Sequence, residues 1–207
     1  MALQGGQSDK TMQRALDGIL VVDLAGSVAT TYCSKLFVDY GATVVNLEPE
    51  VGFPTRQLAP FIDEASTESA MHGYLNANKK SVRRDLISDD AIAALLSEAN
   101  LVLGDGTDIG LFDSRLRMDI SWYDDCGPYA DFIGSDAQCF ALNGMLRNIG
   151  HADGPPLIPT GYQAQIVGGM TAFVGAMGQV LAQELNADGA GLHMRTSIFE
   201  AMMCFTE

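Results

Sequence analysis

Residues 18–47 constrain the fold of this chain more than any other stretch. Gly18-Ile19-Leu20-Val21-Val22-Asp23-Leu24 is a continuous apolar run, closed by Gly26. A run without polar alternation suits a strand buried on both faces, the situation of a parallel sheet. From Thr30 to Tyr40 the apolar residues Tyr32, Cys33, Leu36 and Phe37 recur at helical spacing, and Gly41 stands where a left-handed residue closes a helix. Thr43-Val44-Val45-Asn46-Leu47 reads as a second strand. Strand, helix and strand within about 30 residues predict a right-handed crossover and an α/β fold with a doubly wound, mostly parallel sheet.

The remaining pattern continues that alternation. Residues 48–73 contain Pro49, Gly52, Pro54 and Pro60 and read as an excursion over the surface. Residues 81–86 are a third predicted strand. Residues 89–99 form an amphipathic helix capped by Ser88, and Leu101-Val102-Leu103 a short buried strand before the turn Gly104-Asp105-Gly106. A further strand is expected at 118–122, then helices at 136–148 and 166–186, the second rich in Gly and Ala and so closely packed. A turn at 188–191, a strand at 193–196 and a helix from Ser197 complete the pattern. Ile198, Met202 and Phe205 keep a core-facing spacing up to Glu207, which leads us to expect a segment of something larger. Residues 1–15 are polar and expected to be a flexible extension.

Composition excludes several functions. A net charge of −14 over 207 residues offers no basic stripe for nucleic acid. It also disfavours general attraction of an anionic ligand, so such a site needs local donors. The four cysteines form no CxxC pair, and free buried thiols in a reducing cytosol are expected. His72, His151 and His193 are isolated without metal-ligand spacing, so no metal is expected. No signal peptide is visible, and no run approaches the ~20 apolar residues that span a membrane. A soluble, cytoplasmic protein follows.

Cys126–Met170 carries the chemistry-bearing motifs: Gly127-Pro128-Tyr129-Ala130-Asp131, then Gly134-Ser135-Asp136, then Asp153-Gly154-Pro155-Pro156, then Gln165 ahead of Gly168-Gly169. Upstream stand Leu16–Leu24, Asp39-Tyr40-Gly41-Ala42 and Asn76-Ala77-Asn78-Lys79-Lys80-Ser81, and downstream Gly189-Ala190-Gly191. In this order and spacing the set resembles the family III CoA-transferases, the CaiB/BaiF-like group that includes formyl-CoA transferase, carnitine CoA-transferase and α-methylacyl-CoA racemase. The resemblance runs from residue 16 to the end. It implies a Rossmann-like fold, with residues 16–207 as the N-terminal part of the large domain. It also implies CoA or acyl-CoA as substrate, and either an interlocked homodimer or a second CoA-transferase-like domain or subunit as partner.

The resemblance further implies site residues. CoA would lie over Ser27, Val28 and Ala29 after the first strand, near the third strand at Arg84 and Leu86, with Lys79 as a phosphate partner and Gly104 in the loop supporting adenine. The basic residues around Lys79 and Arg84 equally suit a solvated edge. The family's nucleophilic Asp position is occupied by Gln165, and Ser135 stands where the racemases have His. Asp136 has two readings, a surviving acid/base or an N-cap for the helix that follows it. Gly168-Gly169 either lets a thioester approach or lets helices pack. Trp122 and Tyr123 read as core and rim. The transferase reaction needs a nucleophilic carboxylate. A segment with Gln165 is therefore expected to be degenerate as a transferase. The alternatives are an active enzyme using Asp136 or a partner's acid, or an assembly subunit without catalysis.

Overall fold

The computed structural model describes residues 14–63, 65–106, 116–185 and 192–205. The apolar run predicted as a buried strand is β1 (Leu20–Asp23), at the centre of an all-parallel sheet. Its companions are β2 (Thr43–Glu48), β3 (Lys80–Arg83), β4 (Leu101–Gly104), β5 (Leu116–Ser121) and β6 (Leu192–Ser197). The order is β3-β2-β1-β4-β5-β6, so the chain reverses direction across the sheet between β1 and β4. The helices are α1 (Val28–Asp39), α2 (Ala70–Asn76), α3 (Asp89–Glu98), α4 (Asp136–Leu142), α5 (Gln163–Leu185) and α6 (Ile198–Met202). This is the expected Rossmann-like α/β architecture, and α1 ends at Tyr40 with Gly41 at φ 109°.

Register divides the core in two. Val21 pairs with Leu101 and Leu103 with Met118, and these face α1 and α5 through Ala29, Cys33, Phe37, Ala172 and Ala176. Val22 pairs with Val102 on the opposite face, against Ile92 and Leu96 of α3. Both α1 and α5 therefore lie on one face, although β1→β2 and β5→β6 step in opposite directions along the sheet. The two crossovers thus have opposite hands, and the second departs from the usual rule. Close helix packing accompanies the departure. A Cβ on Gly169 would lie 2.5 Å from the Ala29 carbonyl oxygen, and one on Gly168 would lie 2.7 Å from Ile198 Cγ1. Phe173 meets Phe37 edge-on at 4.9 Å between centroids.

Several expectations need correction. The excursion at 48–73 is anchored rather than superficial: it runs into α2, and Phe53 is buried against Gly26. The third strand stops at Arg83, and Arg84–Leu86 is a 3-10 turn. The helix expected at 136–148 breaks at Gly144, whose φ of 81° ends α4 before a 3-10 turn at Met145–Asn148. Gln163–Gln183 of α5 is long and apolar enough to cross a membrane, contrary to the sequence reading, yet Ala164, Gly168, Ala172, Ala176 and Val180 are buried against α1, α6 and the sheet. Cys33 and Cys139 are buried as expected, but Cys126 and Cys204 are exposed, and all four are free. The turn at 188–191 and residues 1–13 lie outside the described residues.

Two buried acids tie the β1–β2–β3 half together. Glu48 is 2% exposed and receives Arg56 Nη2 at 2.7 Å, the Phe53 N–H at 2.9 Å and the Ser81 hydroxyl. Burial alone would raise its pKa, but the hydrogen bonds from Arg56, Ser81 and Phe53 and the Arg56 charge prevail and hold it at about 2. Asp23, fully buried, has a raised pKa from desolvation, opposed by Lys79 and by hydrogen bonds from Gly26, Ser34 and Ala25.

Two measurements check this packing. Gly169→Ala is expected to lower stability by about 1–3 kcal/mol in urea unfolding. In the same helix a Cβ on Gly178 meets open space. Gly178→Ala is therefore expected to be neutral or to stabilise by up to about 1 kcal/mol. Because the folded pKa of Glu48 lies below the ordinary 4.5, its contribution is present above that value and lost as pH falls towards about 2. The loss should be on the order of 2–3 kcal/mol, and Glu48→Gln should give a shallower decline of urea stability over that pH window.

Candidate active site

In open α/β sheets ligands bind beyond the carboxyl ends of the strands where the strand order reverses. Here that point lies between β1 and β4. The chain leaving β1 turns at once because Asp23 Oδ1 accepts the Ala25 and Gly26 N–H groups at 3.2 and 3.1 Å. Gly26 adopts φ 64°, and a side chain there would collide with the Phe53 ring. Ser27 then caps α1, its Oγ accepting the Thr30 N–H at 3.1 Å. The first-turn N–H groups of Val28 and Ala29 are donors that a helix cannot satisfy internally.

A cavity of about 320 Å³ opens at this edge. Ser27 and Asp105, from the loops after β1 and β4, form one side with Gln165 of α5. The end of β5 supplies Ile120, Ser121, Trp122 and Tyr123, and Ile198 closes the wall. Ala130, Phe132 and Ile133, following the Gly127-Pro128-Tyr129 motif, form the rim. Burial raises the pKa of the Tyr123 phenol, reinforced by Cys139 and Tyr129.

The structure brings Gln165 and Asp136 together. Asp136 Oδ1 accepts the Ala164 N–H at 2.8 Å and the Gln165 N–H at 3.3 Å, and Oδ2 accepts Gln165 Nε2 at 3.0 Å. The carboxylate thus caps the first turn of α5, a place that suits its charge. The expected cap on its own helix belongs instead to Ser135, whose Oγ accepts the Gln138 N–H at 3.3 Å. Ser135 is likewise engaged in capping.

The other expected residues are dispersed. Val28 and Ala29 are buried in the first turn of α1. Lys79 donates to the Thr31 carbonyl and Ser34 Oγ at 2.8 Å each and to Asn76 Oδ1 at 3.2 Å. Desolvation lowers its pKa to about 8 against the attraction of Asp23. Arg84 and Leu86 are exposed beyond edge strand β3, away from the cavity lining. At Gly104 a Cβ would lie 2.5 Å from Asp119 Oδ1, so this glycine makes room for the Asp119–Arg117 pair. Gly168 and Gly169 serve helix packing, facing Ile198 and Ala29. Of the expected binding residues, Ser27 alone shares the cavity with Gln165.

Sequence reasoning missed two arrangements. Phe132 and Ile133 give no periodic signal, since they lie in an irregular loop. His193 is not isolated: its Nε2 lies 2.6 Å from Asp119 Oδ2, across the sheet from the cavity wall. Strand alternation places Arg117, Asp119 and His193 on the same face, but only the β5–β6 register reveals the pairing. Among the described residues, Asp124, Asp125 and Cys126 are the one group whose ligand atoms cluster closely enough for a metal, and they lie on an exposed loop.

The capping role of Asp136 is directly testable. Asp136→Ala should cost about 0.5–2 kcal/mol in urea unfolding. Asp136→Asn, which keeps an acceptor oxygen, should lose clearly less.

Comparison with known proteins gives the chain a family. The chain is 31% identical over 163 residues to a succinate–glutarate CoA-transferase from Agrobacterium fabrum, covering 69% of this chain and 41% of that protein. It is 25% identical over 210 residues to an acetyl-CoA:oxalate CoA-transferase from Acetobacter aceti, covering 92% and 52%. The fold superimposes on a CaiB/BaiF family protein from Brucella suis with a TM-score of 0.80 at 25% identity, covering 93% of this chain and 55% of that one. The chain therefore spans about half the length of the curated relatives it matches. The model of CoA-transferase family III matches residues 16–106 and 116–207, and with the fold and motifs in agreement, the chain belongs to CoA-transferase family III.

Proposed function

We propose that residues 16–207 are the N-terminal part of a large Rossmann-like domain that contributes an acyl-CoA-binding site but no covalent catalysis. The observation that carries this reading is the Gln165–Asp136 pair beside the cavity. In the transferase reaction a carboxylate attacks the thioester carbonyl and expels the CoA thiolate, leaving a mixed anhydride. The thiolate then attacks the enzyme's own carbonyl carbon and releases the acid, leaving an enzyme–CoA thioester. The Gln165 amide is a poor nucleophile and cannot enter this sequence. Asp136 is the neighbouring carboxylate, and both of its oxygens already accept N–H groups of α5.

The first turn of α1, with Ser27 at its cap, is the local donor set that an anionic or polarised group of the ligand would use. Lys79 lies outside this reading, because its ammonium group is consumed inside the fold. A partner also belongs to the proposal. Met170, Val174, Leu181 and Leu185 leave an apolar stripe exposed along α5, which supports a second copy or a second CoA-transferase-like subunit packing there. The exposed free thiols of Cys126 and Cys204 support a reducing, cytoplasmic setting.

A second reading has an observation of its own. Since the chain spans about half of its relatives' length, an acid from another segment or subunit would complete an active site around the same cavity. Intact-mass analysis after incubation with acetyl-CoA separates the two. The unmodified chain should stay free of any CoA adduct, and Gln165→Asp should acquire one. CoA transfer by the unmodified chain that survives Gln165→Ala would overturn the degenerate-site reading. Calorimetry with CoA at moderate salt tests binding independently of chemistry.

A further inference from the structure

Resting on that acyl-CoA reading, we propose that the cavity beside Gln165 takes an uncharged, apolar acyl group and discriminates against a dicarboxylic one. The relatives named above act, by their names, with succinate, glutarate or oxalate, and another from Haloarcula hispanica with mesaconate. Each of these acids has a second carboxylate. Bound as an acyl group, it would carry that charge into the cavity.

The described walls offer such a charge no cationic side chain. Ile120, Trp122, Tyr123, Phe132, Ile133 and Ile198 present aliphatic and aromatic surface. No lysine, arginine or histidine is among the lining residues described, and the one ionisable carboxyl there is Asp105. Cations on the adjoining strands are directed elsewhere, with Arg195 paired to Asp125 and Arg117 to Asp119. A carboxylate taken from water into this space loses hydration and gains no cationic side chain from the described lining.

Three of the polar lining side chains already have partners inside the fold. Ser121 Oγ donates to the Tyr123 carbonyl at 2.6 Å, Ser27 Oγ accepts the Thr30 N–H, and Gln165 Nε2 donates to Asp136. An apolar acyl chain needs none of them. Phe132 and Ile133 at the rim are 57% and 89% exposed, while Tyr129 holds Phe132 at 5.4 Å between ring centroids. An apolar group at the mouth would cover surface that is otherwise in water.

Trp122, the single tryptophan, lines this cavity and reports on it directly. The test is fluorescence titration of the full chain with the S-butyryl and S-succinyl thioesters of N-acetylcysteamine, which lack the nucleotide. The butyryl thioester should perturb Trp122 with a dissociation constant at least about tenfold lower than the succinyl one. Ile133→Ser should weaken the butyryl response, and Asp105→Lys should narrow the preference. Equal or tighter binding of the succinyl thioester, or no response to the butyryl one, would overturn the inference. Failure of CoA itself to bind in calorimetry would instead sink the acyl-CoA reading, and leave the preference of the cavity to stand or fall on the thioester titrations.

Discussion

The approach of α5 to α1 at Gly169 is the contact on which the rest of this structure depends. With no side chain at Gly169, the Ala29 carbonyl lies where a Cβ would be, and the two helices run side by side from that point to the Phe37–Phe173 contact. Their first turns therefore lie together at the carboxyl edge of the sheet. Gln165 sits one turn before Gly169, and Ser27 two residues before Ala29, so a packing contact decides which side chains face one cavity. It also holds α5 on the same face as α1, giving the β5–β6 crossover its unusual hand. Bulk at this position would separate the core and the site together.

Hydrogen-bond satisfaction sets the chemistry that remains at this edge. The first turn of α5 has orphan donors that require acceptors, and Asp136 supplies both oxygens. An acid so engaged is a structural element, just as Lys79 is when three acceptors surround its ammonium group. In a protein of net charge −14, cations spent on internal acids are unavailable to an anionic ligand. The candidate cavity is accordingly neutral or acidic, with aromatic walls. In the proposed reading its specificity comes from exclusion of charge rather than from recognition of it.

Much of the fold was legible in the residues. The β1–α1–β2 opening, the cap at Ser88 and the later strands follow from runs and periods that act over a few residues. Local reasoning failed where distant contacts overrode it. Phe53 sits in a proline-rich stretch yet is buried, because Gly26, far along the chain, leaves space for its ring. The apolar length of α5 is hidden in the sequence because small and polar residues interrupt its larger apolar ones, and it emerges only as an average along the helix. The helix after Asp136 is shorter than its pattern predicts because Gly144, at φ 81°, breaks it.

The site divides in the same way. By itself the sequence determined that the chain has the motifs of CoA-transferase family III and that position 165 holds an amide. Those are properties of residue identity and order. Only the tertiary structure decided that Asp136 caps α5 instead of its own helix, that Ser27 and Gln165 share a cavity, and that Arg84 and Leu86 lie elsewhere. The reason is distance along the chain. Capping within a helix spans three or four residues and leaves a local signature, whereas the Asp136–Ala164 hydrogen bond spans 28 residues and exists only once α4 and α5 have packed.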